Sequence, residues 1–218
     1  MNAPPERVLV CFALPGEARP FRRRAGARPH VRVWVTGMGR DNARRALREA
    51  LAVERPAVVL TCGLAGGLHP ALARGAVLFS AAPDFPGSAR LVAAGARPAV
   101  FHCADRIAAT AAEKRRLREA TGADAVEMES AAIAAVCREA GVPCATVRVI
   151  SDAADEDLPL DFNRYLRPDF RLDWPRLLSA VALRPGRWRA LRALQQQTRA
   201  AAERLAEVLA AVTADPRW

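Results

Sequence analysis

The chain has 218 residues, enough for one domain with a sizeable core and too few for two large ones. Half of them are hydrophobic, yet no run approaches the ~18 to 20 apolar residues of a membrane span, so a soluble protein is expected. The net charge of +10 is carried almost wholly by arginines dispersed among Ala, Pro and Gly, with Lys114 as the one lysine. No aromatic-interleaved strand accompanies them, which argues against a nucleic-acid partner.

The first six residues offer neither a basic region nor an apolar one, so a cytoplasmic location is expected. The five cysteines, Cys11, Cys62, Cys103, Cys137 and Cys144, have no C-x-x-C spacing and sit mostly in apolar segments, as buried thiols do. His30, His69 and His102 are too scattered to suggest a metal site.

In chain order, residues 8–13 read as a strand, 17–24 as the start of a helix and 31–35 as a second strand. Residues 40–54 form an amphipathic helix with Ala43, Leu47 and Ala50 on one face, stopped by Pro56. Residues 57–62 are a buried strand entering a glycine loop at 63–67, and 75–80 are another strand. Between 80 and 103 there is only a short Pro/Gly/Ala stretch, followed by a short helix at 113–119. The segment Val126-Glu127-Met128-Glu129-Ser130 opens a helix over 130–140, ended by Gly141 and Pro143, and 144–150 is the strand that delivers Ser151-Asp152. Residues 176–211 are largely helical, with a break at Arg184-Pro185-Gly186. The alternation predicts a single α/β domain over 1–218, with a mainly parallel but mixed central sheet flanked by helices and a helical C-terminal extension at about 174–212.

Two glycine motifs need separating from commoner lookalikes. Gly37-Met38-Gly39-Arg40-Asp41-Asn42 follows a strand and opens a helix, but Asn42 stands where a dinucleotide fingerprint has its third glycine. Gly63 to Gly67 lacks the Gly-Lys-Ser/Thr of a P-loop. Both are glycine-rich carboxyl ends of strands, where backbone amides can approach an anion or a sugar or simply make a tight turn.

Taken in order, Leu14-Pro15-Gly16-Glu17-Ala18-Arg19, Thr36-Gly37-Met38-Gly39, Cys62 to Leu68, Val126 to Ala132 and Val149-Ile150-Ser151-Asp152 resemble the purine nucleoside phosphorylase and nucleosidase superfamily. The resemblance covers roughly residues 7 to 157. The Glu17-Ala18-Arg19 opening, the stretch from Ala104-Asp105-Arg106 to Lys114 and the tail beyond Leu158 look most like the hopanoid-associated phosphorylases, which implies release of adenine from adenosylhopane. A methylthioadenosine or adenosylhomocysteine nucleosidase is the alternative, and a non-catalytic nucleoside-binding protein the third reading.

Cleaving a purine N-glycosidic bond requires protonating the base, holding a cationic sugar and delivering a nucleophile to the opposite face. The resemblance implies Asp152 as the purine acid, its proton retained against an apolar wall. It implies Glu129 as acceptor for the ribose hydroxyls, with Met128 beneath the sugar. Glu127, Ser151, Gly66 and Ile107 complete the substrate contacts, with Glu127 at the edge or turned to solvent. Glu17 separates two reaction types: it activates water in a nucleosidase, whereas Arg19, Arg40 and Gly39 would bind phosphate in a phosphorylase, the reading slightly preferred here. Leu64 replaces a small hydroxyl residue. No metal or redox cofactor is implied, only phosphate as a co-substrate. The short 80–103 segment would open the site to a bulky 5′ group. Partners implied are a small nucleoside, lipid-linked in the hopanoid reading, and a second copy in a homodimer. The arginines 184, 187, 189 and 192 around Trp188 suggest weak peripheral contact with the inner membrane surface.

Overall fold

The computed structural model describes residues 7–182 and 185–218. Strand β1 (Val8–Phe12) is buried at every position because both faces of the sheet are covered. Val8, Val10 and Phe12 point to one core and Leu9 and Cys11 to another, which is why the strand is a continuous apolar run.

Helix α1 (Pro15–Ala25) and strand β2 (Val31–Val35) follow, then helix α2 (Arg40–Val53), whose buried Ala43, Leu47 and Ala50 form the predicted face. Strand β3 (Val58–Gly67) runs through the glycine segment, which is therefore strand and not loop. Beyond Cys62 it still pairs in parallel with strand β8 (Cys144–Asp152), and at Gly66 and Gly67 it also pairs antiparallel with strand β7 (Ala125–Glu127). Strand β4 (Val77–Ala81) lies antiparallel on β8. The sheet order is β2-β1-β3-β8-β4 and then β5 (Arg97–Pro98), with β6 (Phe101–Cys103) beside β7. The sheet is thus mixed.

The stretch between 80 and 103 is not structureless. It carries helix α3 (Ser88–Ala93), β5 and the start of β6, and Leu91 and Ala96 pack into the main core. Helix α4 (Ala111–Thr121) is longer than predicted, because Thr110 and Glu113 form a capping box ahead of it and Gly122 ends it in the left-handed region. Residues 125–127 form β7 before helix α5 (Ser130–Ala140) begins at the predicted Ser130 and stops at the predicted Gly141.

After β8 comes a 3-10 turn (Phe162–Tyr165), helix α6 (Trp174–Val181) and helix α7 (Pro185–Val212). Of the predicted break Arg184-Pro185-Gly186, Arg184 lies outside the described residues, while Pro185 and Gly186 open α7. Helix α7 buries Ala201, Leu205, Val208 and Val212 against the sheet and α1, where Arg23 and Arg24 pair with Glu203 and Glu207. The chain ends with Trp218 against Phe85 and under Arg90. The cysteines are all free; Cys11, Cys62 and Cys137 are buried and Cys103 and Cys144 half-buried.

Candidate active site

One fully buried cation organises the carboxyl end of β3. Arg148, in the middle of β8, is 1 % exposed, and its Nη2 lies 2.7 Å from Glu127 and 3.2 Å from Glu129. It also donates to the Cys62 carbonyl and the Thr61 hydroxyl. Gly63 makes the room: a Cβ there would stand 2.5 Å from Nη1 of Arg148 and about as close as 3.1 Å to the Glu17 carboxylate. Glu17 reaches this point from the first turn of α1, accepting the amides of Leu14 and Leu64 at 3.1 Å each. Leu64 thus contributes its backbone amide to Glu17.

Three carboxylates around one guanidinium leave a net charge of −2 if all are ionised, and the strain falls unequally. Burial pushes the Glu17 carboxyl above its ordinary range, Glu129 adds to the push, and Arg148 and the two amides oppose it. Glu129 is likewise raised, first by burial and then by Glu127, against the pull of Arg148 and the Gly39 amide. Burial alone would raise Glu127 too, but Arg148, the Ser130 hydroxyl and two amides outweigh it and hold it below the usual range.

These contacts separate roles that the sequence grouped together. Glu127 is buried, not turned to solvent, and its oxygens are taken up by Arg148, the Glu129 and Ser130 amides and the Ser130 hydroxyl. It is a counter-charge for Arg148 and has little capacity left for substrate. Glu129 keeps more freedom, with one oxygen on the Gly39 amide at 2.9 Å and the other shared with Arg148. Met128 between them is buried. Arg148 itself was missed by the sequence reading, although a charged residue inside the apolar run Val147-Arg148-Val149 is a signal for a buried ion pair.

Asp152 stands at the other end of the same strand pair. A register shift between Ala65 and Gly66 skips Ser151 and sets Asp152 opposite Gly66, where a Cβ would meet Oδ2 at 3.3 Å. Gly63 faces Glu17 and Gly66 faces Asp152, so the two carboxyls meet β3 at positions three residues apart, a backbone span of roughly 10 Å at ~3.3 Å per residue. Gly66 is fully paired on both edges, with Val126 and Asp152, so its part is spatial. Ser151 is buried, and its hydroxyl donates to Oδ1 of Asp152 at 2.6 Å, which makes it a support for the acid.

The surroundings of Asp152 hold a cation as well as the expected apolar surface. Lys114, from α4, places Nζ 2.5 Å from Oδ2. Asp152 also borders a cavity of about 200 Å³ lined by Glu156, Leu158, Pro159, Ala193 and Leu194 among others. That is below the ~300–1,000 Å³ of ordinary small-molecule pockets, and none of Glu17, Glu127, Glu129 and Ala108 lines it.

In the loop between β6 and α4, the Ile107 amide donates to the Asn163 carboxamide and its carbonyl accepts from it, each at 2.9 Å, so the amide is not free for a ligand. The neighbouring Ala109 amide and carbonyl are taken by Glu113 and Leu158. Ala108, 9 % exposed, has no partner for either backbone group among the described residues.

The arginines proposed for phosphate are placed apart. Arg19 is exposed on α1 and meets none of the acidic residues. Arg40 is committed to the Cys103 carbonyl and to Asp105 at 3.1 Å. Gly39 donates its amide to Glu129, an acceptor already in place of any phosphate oxygen. Its other side is covered by the ring of Phe170, which a Cβ would meet at 2.9 Å.

Residues 87–171 match the sequence family described as the Phosphorylase superfamily. The aminodeoxyfutalosine nucleosidase of Campylobacter jejuni is 37% identical over 70 residues, 32% of this chain and 31% of the relative. The 5′-methylthioadenosine/S-adenosylhomocysteine nucleosidase of Shewanella halifaxensis is 52% identical over 42 residues, 19% and 18% of the two chains. The matched stretches span less than a third of these relatives' length. The structure of futalosine hydrolase of Helicobacter pylori superposes with a TM-score of 0.72 at 17% identity, over 96% of this chain and 97% of that one, a likeness of fold.

Proposed function

We propose that the chain, whose residues 87–171 match the Phosphorylase superfamily, is a member of that superfamily, and that it cleaves the N-glycosidic bond of a 5′-substituted adenosine by hydrolysis. The observation that carries the reading is the pair of acidic centres gathered on one strand, Glu17 against Gly63 and Asp152 against Gly66 of β3. The Glu17–Arg148–Glu129 cluster lies at one end and Asp152 at the other. The arrangement supplies a water-activating carboxylate and a proton donor from neighbouring positions on one strand.

Glu17 takes a proton from water as oxygen attacks C1′, and burial, which raises its basicity, suits it to that task. Glu129 accepts hydrogen bonds from the ribose hydroxyls, which strengthen as the ring becomes cationic. The electron pair of the C1′–N9 bond passes to the purine, which receives a proton through Asp152. The unpartnered amide and carbonyl of Ala108 are complementary to the acceptor and donor of a 6-aminopurine edge. Hydrolysis is preferred over phosphorolysis, reversing the expectation from sequence. A phosphate dianion would enter beside three carboxylates whose only central cation is already shared by two of them.

For the 5′ group, the sequence resemblance favours adenosylhopane, and the names of the matched relatives favour aminodeoxyfutalosine, methylthioadenosine or adenosylhomocysteine. The hopane reading carries with it a peripheral contact with an anionic membrane. Both readings carry a homodimer, whose mass light scattering would report. Adenine release from methylthioadenosine, adenosylhomocysteine and adenosylhopane, each with and without phosphate, tests the proposal. The expected result is a phosphate-independent rate, free pentose as product, and a loss on the order of 10² or more in Asp152→Asn and Glu129→Gln with unchanged circular dichroism. Formation of a pentose 1-phosphate would overturn hydrolysis; no adenine from any of the three would overturn the activity.

A further inference from the structure

Lys114 is the single lysine in a chain with 33 cations, and its side chain is fully buried. Its ammonium has three N–H groups and meets three acceptors: Asp152 Oδ2 at 2.5 Å, the Ala153 carbonyl at 2.7 Å and the Glu156 carbonyl at 2.8 Å. All three belong to the turn 152–156 that leaves β8. A planar guanidinium cannot reproduce this three-way grip, which gives a physical reason for lysine at this one position.

The grip is held from both sides. Helix α4, which carries Lys114, has its first amide on Asp157, and the turn is braced by Glu156 accepting from the Ala153 amide and pairing with Arg74. Asp152 therefore has a donor on each oxygen, Ser151 on Oδ1 and Lys114 on Oδ2. Its carboxylate plane is fixed, and a proton lies next to it on Nζ.

Resting on the glycosidase reading above, we propose that Lys114 positions Asp152 and supplies, through it, the proton taken by the departing purine. As the C1′–N9 bond breaks, its electrons go to the base. The proton passes from the Lys114 ammonium through the Asp152 carboxylate to the purine nitrogen, so Lys114 becomes an amine and Asp152 is a carboxylate before and after. The attacking water loses its proton to Glu17. After release Glu17 returns that proton to solvent, and Lys114 regains one from solvent by way of Asp152 and the cavity it borders. Water is consumed and no net proton is gained or lost.

The test turns on the leaving group. A 4-nitrophenyl riboside departs as a stable anion and needs no protonation, whereas methylthioadenosine does. Lys114→Met is expected to lose on the order of 10² in kcat on methylthioadenosine with little change in KM, and to keep turnover within about fivefold on the nitrophenyl riboside. Asp152→Asn added to Lys114→Met should cost little more, since the two groups act as a unit. Removing both charges together also avoids leaving a buried carboxylate unpaired, so the double variant folds even where the single one does not. Its selective loss on methylthioadenosine then decides the matter. Equal losses on both substrates, full purine turnover in Lys114→Met, or multiplying losses in the double variant would each overturn the role given to Lys114. A wild-type protein inactive on both substrates would overturn the glycosidase reading and this role with it.

Discussion

Three carboxylates share one guanidinium at the end of β3, and that ratio governs the response to pH. Glu17 and Glu129 are raised above the ordinary glutamate value of about 4.3, so the folded state binds their protons more tightly than the unfolded chain does. By linkage, stability falls as pH rises from the ordinary value through their raised ones. Glu127 is lowered and acts in the opposite sense: its contribution is present above the ordinary value and is lost as pH falls through its depressed one. The expected thermal profile has its maximum in mildly acid solution, with Tm declining toward neutrality. Glu17→Gln should flatten the decline, because an amide has no proton to lose. The same residue should impose the acid limb of kcat/KM, above the ordinary glutamate value, since water activation needs the carboxylate. A profile measured by differential scanning calorimetry and unchanged by Glu17→Gln would remove Glu17 from this account. None of this was visible in the sequence beyond the candidate glutamates. Arg148 is nineteen residues from Glu129 along the chain and meets it only because β7 and β8 both border β3.

At the scale of elements, the segment after β8 acts as a strap tying the two sides of the site together. Asn163 in the 3-10 turn clamps Ile107, and Phe170 covers Gly39 while the Asp169 carbonyl accepts from Asn42. Phe170 is the one non-glycine residue with positive φ among the described residues, at 61°, which marks strain held by these neighbours. Asn42, which in the sequence only spoiled a dinucleotide fingerprint, thus anchors the strap. Asn163→Ala should free the Ile107 loop and with it the adjoining Ala108 backbone. The expected outcome is a several-fold rise in KM with kcat less affected, and a loss on the order of 1–2 kcal/mol, ~2–8 °C in Tm for a domain of this size. Unchanged KM would show that the loop is held elsewhere. The regular elements around the strap were legible from periodicity and from Gly and Pro stops. Helix α5 with its Gly141 and Pro143 is an instance. The strap was not, because its order comes from side-chain contacts with residues more than fifty positions away. The glycine run 63–67 was misread for a related reason: glycine weakens a strand locally, but here it makes room for Arg148 and Asp152.

For the whole molecule, the charge of +10 is distributed so that one end stands out. Helix α7 is locked onto α1 over its second half, but its start and the neighbouring α6 expose Trp174, Leu178 and Trp188. Arg176, Arg189 and Arg192 are exposed around them, while Arg187 is spent on the Ala180 carbonyl at 2.9 Å. No helix among the described residues is long and apolar enough to cross a membrane, so any contact with lipid would be at the surface. Aromatic side chains beside arginines favour an anionic interface, at about 1 kcal/mol per cation near the surface. Three such cations and two tryptophans predict weak, reversible binding that salt abolishes. Sedimentation with vesicles of mixed phosphatidylglycerol and phosphatidylcholine should show retention at low salt and release at ~0.5 M, a concentration that shortens the Debye length to about half its physiological value. Replacing Trp174, Trp188 and Arg189 by Ala should abolish retention without lowering adenine release from a water-soluble substrate, because none of the three touches the acidic centres. Equal retention on neutral vesicles, or none at low salt, would confine the α6–α7 surface to the protein's own packing and remove the membrane from the functional reading.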